Sequence, residues 1–305
     1  MALQNILVVG GTGKQGGAVI KALLNHPKNE TTPHILALTR NAQSESATAL
    51  AKAHKGVVEL IQGDSANPGP IFDSQPKGSI TSVFIVTTPD GKVSEEKQAI
   101  PLIDAAVEHG VKHIVFSSVD RGGDDKSWDN PTNIKHFRAK HNIELHLRDK
   151  AQKEGGKFTW TILRPVAFLD NWNPGMLGTM FTAMWAAGLS PDTKLQLVGV
   201  KDIGVFAALA LNDPAKWSGR AVGLAGDELT LAEAKEKFTK VTGKKMPQAW
   251  TVFGRMVLWG VGDVGDMFVF FEKEGYGVDI DARRREAPVQ DFETWLKEES
   301  KWTRG

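Results

Sequence analysis

The chain has 305 residues, 41% of them apolar and 24% charged, enough for one large domain or two modest ones. A net charge of +1 supplies no overall field to draw nucleic acid or an anionic membrane, so neither is expected as a partner. The chain contains no cysteine, which excludes disulfides, thiolate metal sites and cysteine nucleophiles.

The N-terminus enters directly into Ile6-Leu7-Val8-Val9. No basic segment followed by an apolar run and cleavage site precedes it, and no stretch of about 18 apolar residues suggests a membrane span. The expected location is the cytoplasm.

In chain order, β-branched runs predict strands at Asn5–Val9, His34–Thr39, Val57–Ile61, Ser82–Val86, His113–Ser117 and Phe158–Leu163. Segments of helical composition lie between them, at Lys14–Asn25, Ser44–Ala53, Ser94–His109 and Asn133–Lys153. Near-continuous apolar strands alternating with helices predict an α/β, Rossmann-type, doubly wound parallel sheet covered on both faces. The pattern changes after Arg164-Pro165. Residues 1–165 are read as the nucleotide-binding domain and 166–305 as a smaller α/β lobe packed against it. In that lobe strands are expected at Leu195–Val198 and Ala221–Leu224. Helices are expected at Ile203–Leu211 and at Leu231–Val241 behind Thr230 as N-cap.

The first strand runs into Gly10-Gly11-Thr12-Gly13-Lys14-Gln15-Gly16-Gly17. Gly10, Gly13 and Gly16 fit the spacing G-x-x-G-x-x-G between a strand and a helix. Such glycines serve a tight turn, close backbone approach to a pyrophosphate, and helix–strand packing. Thr12, Lys14 and Gln15 complete the expected cofactor-binding loop. An ATP-type P-loop is excluded, because Gln15 stands where Ser or Thr is needed and Val8 where the first glycine is needed.

At the end of the second strand, where NAD-binding domains carry an acid for the ribose hydroxyls, the sequence reads Thr39-Arg40-Asn41, with no acid before Glu45. A guanidinium there suits a 2′-phosphate, so NADP(H) is the expected cofactor. The plain alternative is a solvated surface arginine. Asp64, after the third strand, is expected to accept from the adenine amino group. Thr87-Thr88-Pro89, after the fourth, is expected to lie along the adenosine ribose. Either could be an ordinary loop.

Several segments together resemble the NmrA-like family of atypical short-chain dehydrogenase/reductases. They are the loop at residues 10–16, Thr39-Arg40, Val111-Lys112-His113-Ile114-Val115-Phe116-Ser117-Ser118, Phe137-Arg138-Ala139-Lys140 with Ile143-Glu144, and Thr161-Ile162-Leu163-Arg164-Pro165 followed by Phe168 and Asn171. The resemblance covers most of the first 175 residues and continues weakly through Val200–Gly204. It implies cofactor contacts by Ser117, Lys140 and Pro165. Some members of that family are NADPH-dependent reductases that use a lysine. Others bind NADP(H) without known turnover and act as redox sensors through protein partners.

The Tyr-x-x-x-Lys dyad of conventional short-chain dehydrogenases is absent. The single tyrosine, Tyr276, is followed four residues later by Ile280. Lys140 survives, and His136 occupies the position one helical turn before it. The candidate catalytic set is therefore Lys140, with His136 in place of the phenol, and Ser118 (with Ser117) against a carbonyl oxygen. In the plain reading His136 is a surface histidine, Lys140 pairs with Glu144, and the serines cap a loop. Trp128, Phe168, Trp172 and Met176 are candidate walls for an apolar small-molecule substrate, with Met180, Phe181 and Trp185 following them. Met and Trp at this spacing also suit a core. Met256–Phe271 is either an interface or a further wall. Arg283-Arg284-Arg285 reads as a solvated helix end. The histidines show no metal-ligand spacing, and none of the serines has the setting of a nucleophile elbow.

Overall fold

The strands of the first half form where apolar, β-branched side chains run without interruption. In the computed structural model, which describes residues 5–26, 33–89 and 93–303, they alternate with helices in chain order. The order is β1 (Asn5–Val9), α1 (Lys14–Leu24), β2 (His34–Thr39), α2 (Glu45–Ala53), β3 (Val58–Gln62), α3 (Gly69–Asp73), β4 (Ile80–Val86), α4 (Glu95–His109), β5 (His113–Ser117), α5 (Lys135–Lys153) and β6 (Thr159–Pro165). Then follow β7 (Ala167–Phe168), α6 (Met176–Gly188), β8 (Leu195–Val198), α7 (Val200–Asn212), α8 (Pro214–Trp217), β9 (Arg220–Leu224), β10 (Asp227–Leu229), α9 (Leu231–Thr242), α10 (Thr251–Gly260), α11 (Gly262–Lys273), α12 (Ile280–Glu286) and α13 (Phe292–Glu298).

Seven strands make one sheet in the order β3-β2-β1-β4-β5-β6-β9. The first six follow the Rossmann order, with parallel pairing from β3 across to β6. Ile6, Leu7, Val8, Ile35, Leu36, Val83, Phe84, Ile114 and Val115 have no exposed surface, the burial on both faces that a helix-covered parallel sheet requires. The expected α/β doubly wound fold is the one observed. A second sheet, β10-β8-β7, pairs β8 antiparallel with β10 and parallel with β7.

Helix boundaries follow local capping. Ser44 and Ser94 accept from the N–H groups of Ala47 and Lys97, which places them as N-caps just outside α2 and α4. Thr230 caps α9 as expected, and Glu233 closes a full capping box. Gly110 in the left-handed region ends α4.

The chain divides into two compact units whose segments interleave. The first comprises residues 1–118, 139–164 and 203–222; the second comprises 119–138, 165–202 and 223–305. In the first, a buried ion pair joins α5 to β6: Arg164 Nη2 donates to Glu144 Oε2 at 2.7 Å, with both side chains wholly buried. In the second, an aromatic core includes Trp172, Phe181, Trp185, Phe268, Phe270, Phe271, Phe292 and Trp295.

Candidate functional site

Strand register places most of the sequence-predicted cofactor residues along one edge. Val8 pairs with Ala37 and Phe84, Ala37 with Leu60, Phe84 with Val115, and Val115 with Thr161. Two residues further along each strand lie Gly10, Thr39, Gln62, Val86, Ser117 and Leu163. This is the carboxyl edge, where open α/β sheets take their ligands beside the point at which strand order reverses, here between β1 and β4.

At that edge Gly10 has φ of 64°, a conformation glycine adopts without strain. A Cβ on Gly16 would stand 2.2 Å from the carbonyl oxygen of Gly10, so only glycine lets α1 start this close to the loop. Gly13 N donates to Gly10 O at 2.8 Å. Gly13 is the N-cap of α1, and no side chain caps the helix or places an acid in its first turn. The first-turn N–H groups thus receive no side-chain cap and no acid from the helix itself. Lys14 is exposed there, and Thr12 and Gln15 are partly buried. Ser117 Oγ donates to Gln15 Oε1 at 2.6 Å, tying the end of β5 to the first turn of α1. The hydroxyl expected to face a carbonyl is directed to this link, and Ser118, also buried, donates its N–H to Leu163 O at 2.7 Å.

Arg40 is exposed one residue beyond β2, and Thr39 before it is buried. The turn that follows is fixed by Gln62, whose Oε1 accepts from Ala42 N at 3.0 Å. Asp64 is exposed and accepts from Ala66 N at 2.9 Å, closing a turn of its own loop. Thr88 N donates to Gln98 Oε1 at 3.1 Å, and Gln98 Nε2 returns a bond to Thr88 O at 2.8 Å. That exchange anchors the segment ending at the exposed Pro89.

Lys140 lies in a buried polar cluster of this unit. Its Nζ lies 2.7 Å from Glu95 Oε2 and donates to Thr87 Oγ1 at 2.9 Å. Thr87 itself donates to Glu95 Oε2. Glu95 and Thr87 are buried, and Lys140 is 12% exposed. An ammonium has three donors, and these contacts use two, leaving one N–H for a ligand. Phe116 lies under the ammonium, 5.8 Å from Nζ to ring centroid. Glu144, the partner considered from sequence, is committed to Arg164 instead. The sequence reading missed Glu95, because an acid just after an N-cap serine looks like ordinary helix-end electrostatics. Its other oxygen, Oε1, is buried without a hydrogen-bond partner.

In the second unit, His136 Nδ1 lies 3.7 Å from Asp263 Oδ2, and its ring meets Phe137 edge-on at 4.8 Å. Pro165 is buried at the end of β6, and its carbonyl accepts from Asp120 N at 3.2 Å. Trp128 is half-buried in a short 3-10 turn, and Phe168 is half-buried at the end of β7. Trp172 is 3% exposed and packs on Phe181 and Trp185 at 4.8 and 5.6 Å between centroids, so its ring builds the core. Met176 is 85% exposed at the start of α6. Tyr276 packs against Phe270 and Phe271; desolvation, reinforced by the charge of Asp120, pushes its phenol well above the usual range. Asp120 is wholly buried and accepts from the N–H groups of Gly122, Gly123 and Gly277. Burial nevertheless raises its carboxyl above the ordinary value, the three N–H bonds opposing that shift and Asp124 adding to it. Among the described residues no cluster of His, Asp and Glu is arranged to hold a metal ion, and no helix is long and apolar enough to cross a membrane.

Known proteins place this architecture. The crystal structure of NmrA, a negative transcriptional regulator, in complex with NADP matches with a TM-score of 0.73 at 19% identity, over 98% of this chain and 96% of that one. The NADPH-dependent quinone oxidoreductase QOR2 of Escherichia coli, complexed with NADPH, matches with a TM-score of 0.69 at 21% identity, over 94% and 97%. At these identities the likeness establishes the fold. In sequence, an NmrA-like family domain-containing protein of Dictyostelium discoideum is 27% identical over 96% of this chain and 97% of its own length. The NmrA-like family domain-containing oxidoreductase FrzB of Cladobotryum sp. is 26% identical over 88% and 84%. The model of the NmrA-like family matches residues 3–295, nearly the whole chain, and the protein belongs to that family.

Proposed function

We propose that this protein binds NADP(H) along the carboxyl edge of its large sheet and reduces an apolar carbonyl or enone. The observation that carries the cofactor assignment is the cradle itself. Gly16 packs so tightly on Gly10 that no side chain fits between helix and loop, the start of α1 is uncapped by any side chain, and Arg40 stands exposed where NAD-specific domains carry an acid. The residues present fit an anionic dinucleotide, with Gly10–Gly16 for the pyrophosphate, Arg40 and Lys14 for the 2′-phosphate, and Asp64 and Thr87–Pro89 for the adenosine. Bound NADPH would supply the hydride. Lys140, steered by Glu95 and Thr87, directs its remaining N–H toward a ribose hydroxyl or the substrate oxygen and stabilises negative charge developing there. Its ammonium is already paired, so its role is that of a fixed hydrogen-bond donor. His136 or a water is assigned the proton. Residues 166–305 are assigned to substrate or partner recognition, with Trp128, Phe168 and Met176 as contacts and Trp172 as their packing support. Kinship to relatives named as oxidoreductases supports a reductase.

A second reading, a redox sensor that signals NADP(H) state to a partner protein, is favoured by one observation. The chain lacks a tyrosine one helical turn before Lys140, and the histidine there lies beside Asp263.

Calorimetric titration with NADPH, NADP⁺, NADH and NAD⁺ tests the cofactor assignment. Both NADP forms are expected to bind at least tenfold more tightly than the NAD forms, and Arg40→Ala to erase that preference. Equal affinity for all four would reject it. Turnover is then tested by following NADPH absorbance across carbonyl compounds. Oxidation by none of them, together with partner capture that depends on cofactor redox state, selects the sensor.

A further inference from the structure

The second unit carries an apolar surface that the proposed chemistry does not use. Helix α10 docks on α6 through Gly254, where a Cβ would stand 2.4 Å from Ala183 O. On the opposite side Val252, Met256 and Trp259 follow the i, i+4, i+7 spacing of an amphipathic stripe. Such a stripe ordinarily faces a core, but here it faces out. Trp259 is 90% exposed, Trp250 75%, Met256 60% and Val252 48%. Trp250 stacks on the exposed Phe253, with centroids 5.9 Å apart and planes 5° from parallel. Ala249 N donates to Thr179 O at 3.1 Å, which brings this end beside the start of α6, where Met176 and Leu177 are also exposed.

Charge decides what fits. The whole-chain value of +1 conceals a local group of cations that are exposed and, among the described residues, unpaired. From 237 to 262 the sequence holds Lys237, Lys240, Lys244, Lys245 and Arg255 and no acid. Lys237 and Lys240 are neutralised by Asp227 and Glu293. Lys244, Lys245 and Arg255 form no ion pair among the described residues. The acids flanking the segment are Glu236, exposed on α9, and Asp263, beside His136, with Asp266 exposed on α11.

We propose that α10 and the start of α6 form a peripheral docking surface for an anionic lipid bilayer, with Val252, Phe253, Met256 and Trp259 entering the interface and Lys244, Lys245 and Arg255 meeting the headgroups. Exposed tryptophans near both ends of the helix sit where their amphipathic rings are most stable, at headgroup level. Arg255 on the helix and the exposed Lys244 and Lys245 in the segment leading to it, together with the apolar face, give the two attractions that peripheral binding combines. The surface lies on the membrane without spanning it, and it revises the expectation, drawn from net charge alone, that no membrane is a partner.

The test is co-sedimentation of the full chain with vesicles of phosphatidylcholine alone and of equal parts phosphatidylcholine and phosphatidylserine. Binding to the mixed vesicles only, weakened by salt, is expected. The pair Met256→Ser and Trp259→Ser should reduce it at least tenfold. Lys244→Glu with Lys245→Glu should reduce it about a hundredfold. All four positions are exposed, so the thermal midpoint should stay unchanged, which separates lost docking from lost folding. Absence of binding at low salt overturns the proposal, as does binding that survives Met256→Ser and Trp259→Ser. Sedimentation velocity showing a dimer that those serines dissolve, without vesicle binding, assigns the face to a second copy instead.

Discussion

Lys140 illustrates how a candidate catalytic residue also carries structure. Its ammonium neutralises a buried carboxylate, Glu95, one oxygen of which already lacks a donor. Removing one partner of a buried pair leaves an uncompensated charge, at a cost of roughly 3–5 kcal/mol, whereas removing both charges is often neutral. Lys140→Met is therefore expected to destabilise the protein by about that amount in urea titrations, and the double variant Lys140→Met with Glu95→Gln to recover most of the loss. If both variants unfold at the same urea concentration, the two side chains are not energetically coupled. The pairing also bears on functional tests, because lost turnover in Lys140→Met alone mixes chemistry with folding. Lys140→Arg, which keeps the charge, is the cleaner probe.

Among the elements, the strand–loop–helix unit from β1 to α1 is the one most nearly dictated by its sequence. Gly10, with its positive φ, and Gly16, packed on the loop, have distinct mechanical roles at positions that the spacing alone located. Gly16→Ala places a methyl group against Gly10 O at 2.2 Å, so α1 must shift away from the loop. Its expected signature is loss of NADPH affinity by more than a hundredfold with destabilisation of a few kcal/mol. Calorimetry beside a denaturant curve checks both, and full affinity in Gly16→Ala would show that the loop does not bind the pyrophosphate. The strands were similarly legible, because β1, β2, β4 and β5 are runs of apolar residues bounded by polar loops. Less legible was the second unit. Helices α10 and α11 arise from Met256–Phe271 and its flanks, where glycines interrupt the pattern and both faces are apolar, so periodicity pointed to no single side. The partners of Lys140 were also out of reach. Glu95 lies 45 positions from it in sequence, and only the pairing of β4 with β5 brings the start of α4 and the helix after β5 to the same sheet edge.

For the molecule as a whole, two buried titrating groups set opposing pH slopes. His113 is wholly buried, with its ring nitrogens 2.7 Å from Thr159 Oγ1 and 3.2 Å from Thr161 Oγ1. The Thr161 hydroxyl donates to Trp217 O at 2.8 Å, so it accepts from His113 Nε2–H. Desolvation lowers the His113 pKa to about 4. As pH falls from the ordinary histidine value toward 4, the unfolded chain takes up a proton that the folded chain refuses, and stability declines. Asp202 is 2% exposed and accepts from Gln290 N at 3.0 Å. Burial raises its pKa to about 7, against the lowering effect of that bond and of Lys201. As pH rises from about 4 to 7, the folded state holds a proton that the unfolded state has released, and stability declines in the other direction. Between about pH 4 and 6.5 the His113 and Asp202 slopes oppose each other, and above that range only the Asp202 slope of the pair remains. Asp202→Asn removes one slope. The variant should lose stability more steeply than the wild type on acidification, and at pH 8 it should be the more stable of the two by on the order of 2–4 kcal/mol. Urea midpoints measured from pH 4 to 8 decide the matter. Parallel profiles for the two proteins would mean that Asp202 is ionised in the folded state throughout, held by Lys201 and the N–H groups of Gln290 and Gly199 more strongly than burial disfavours it.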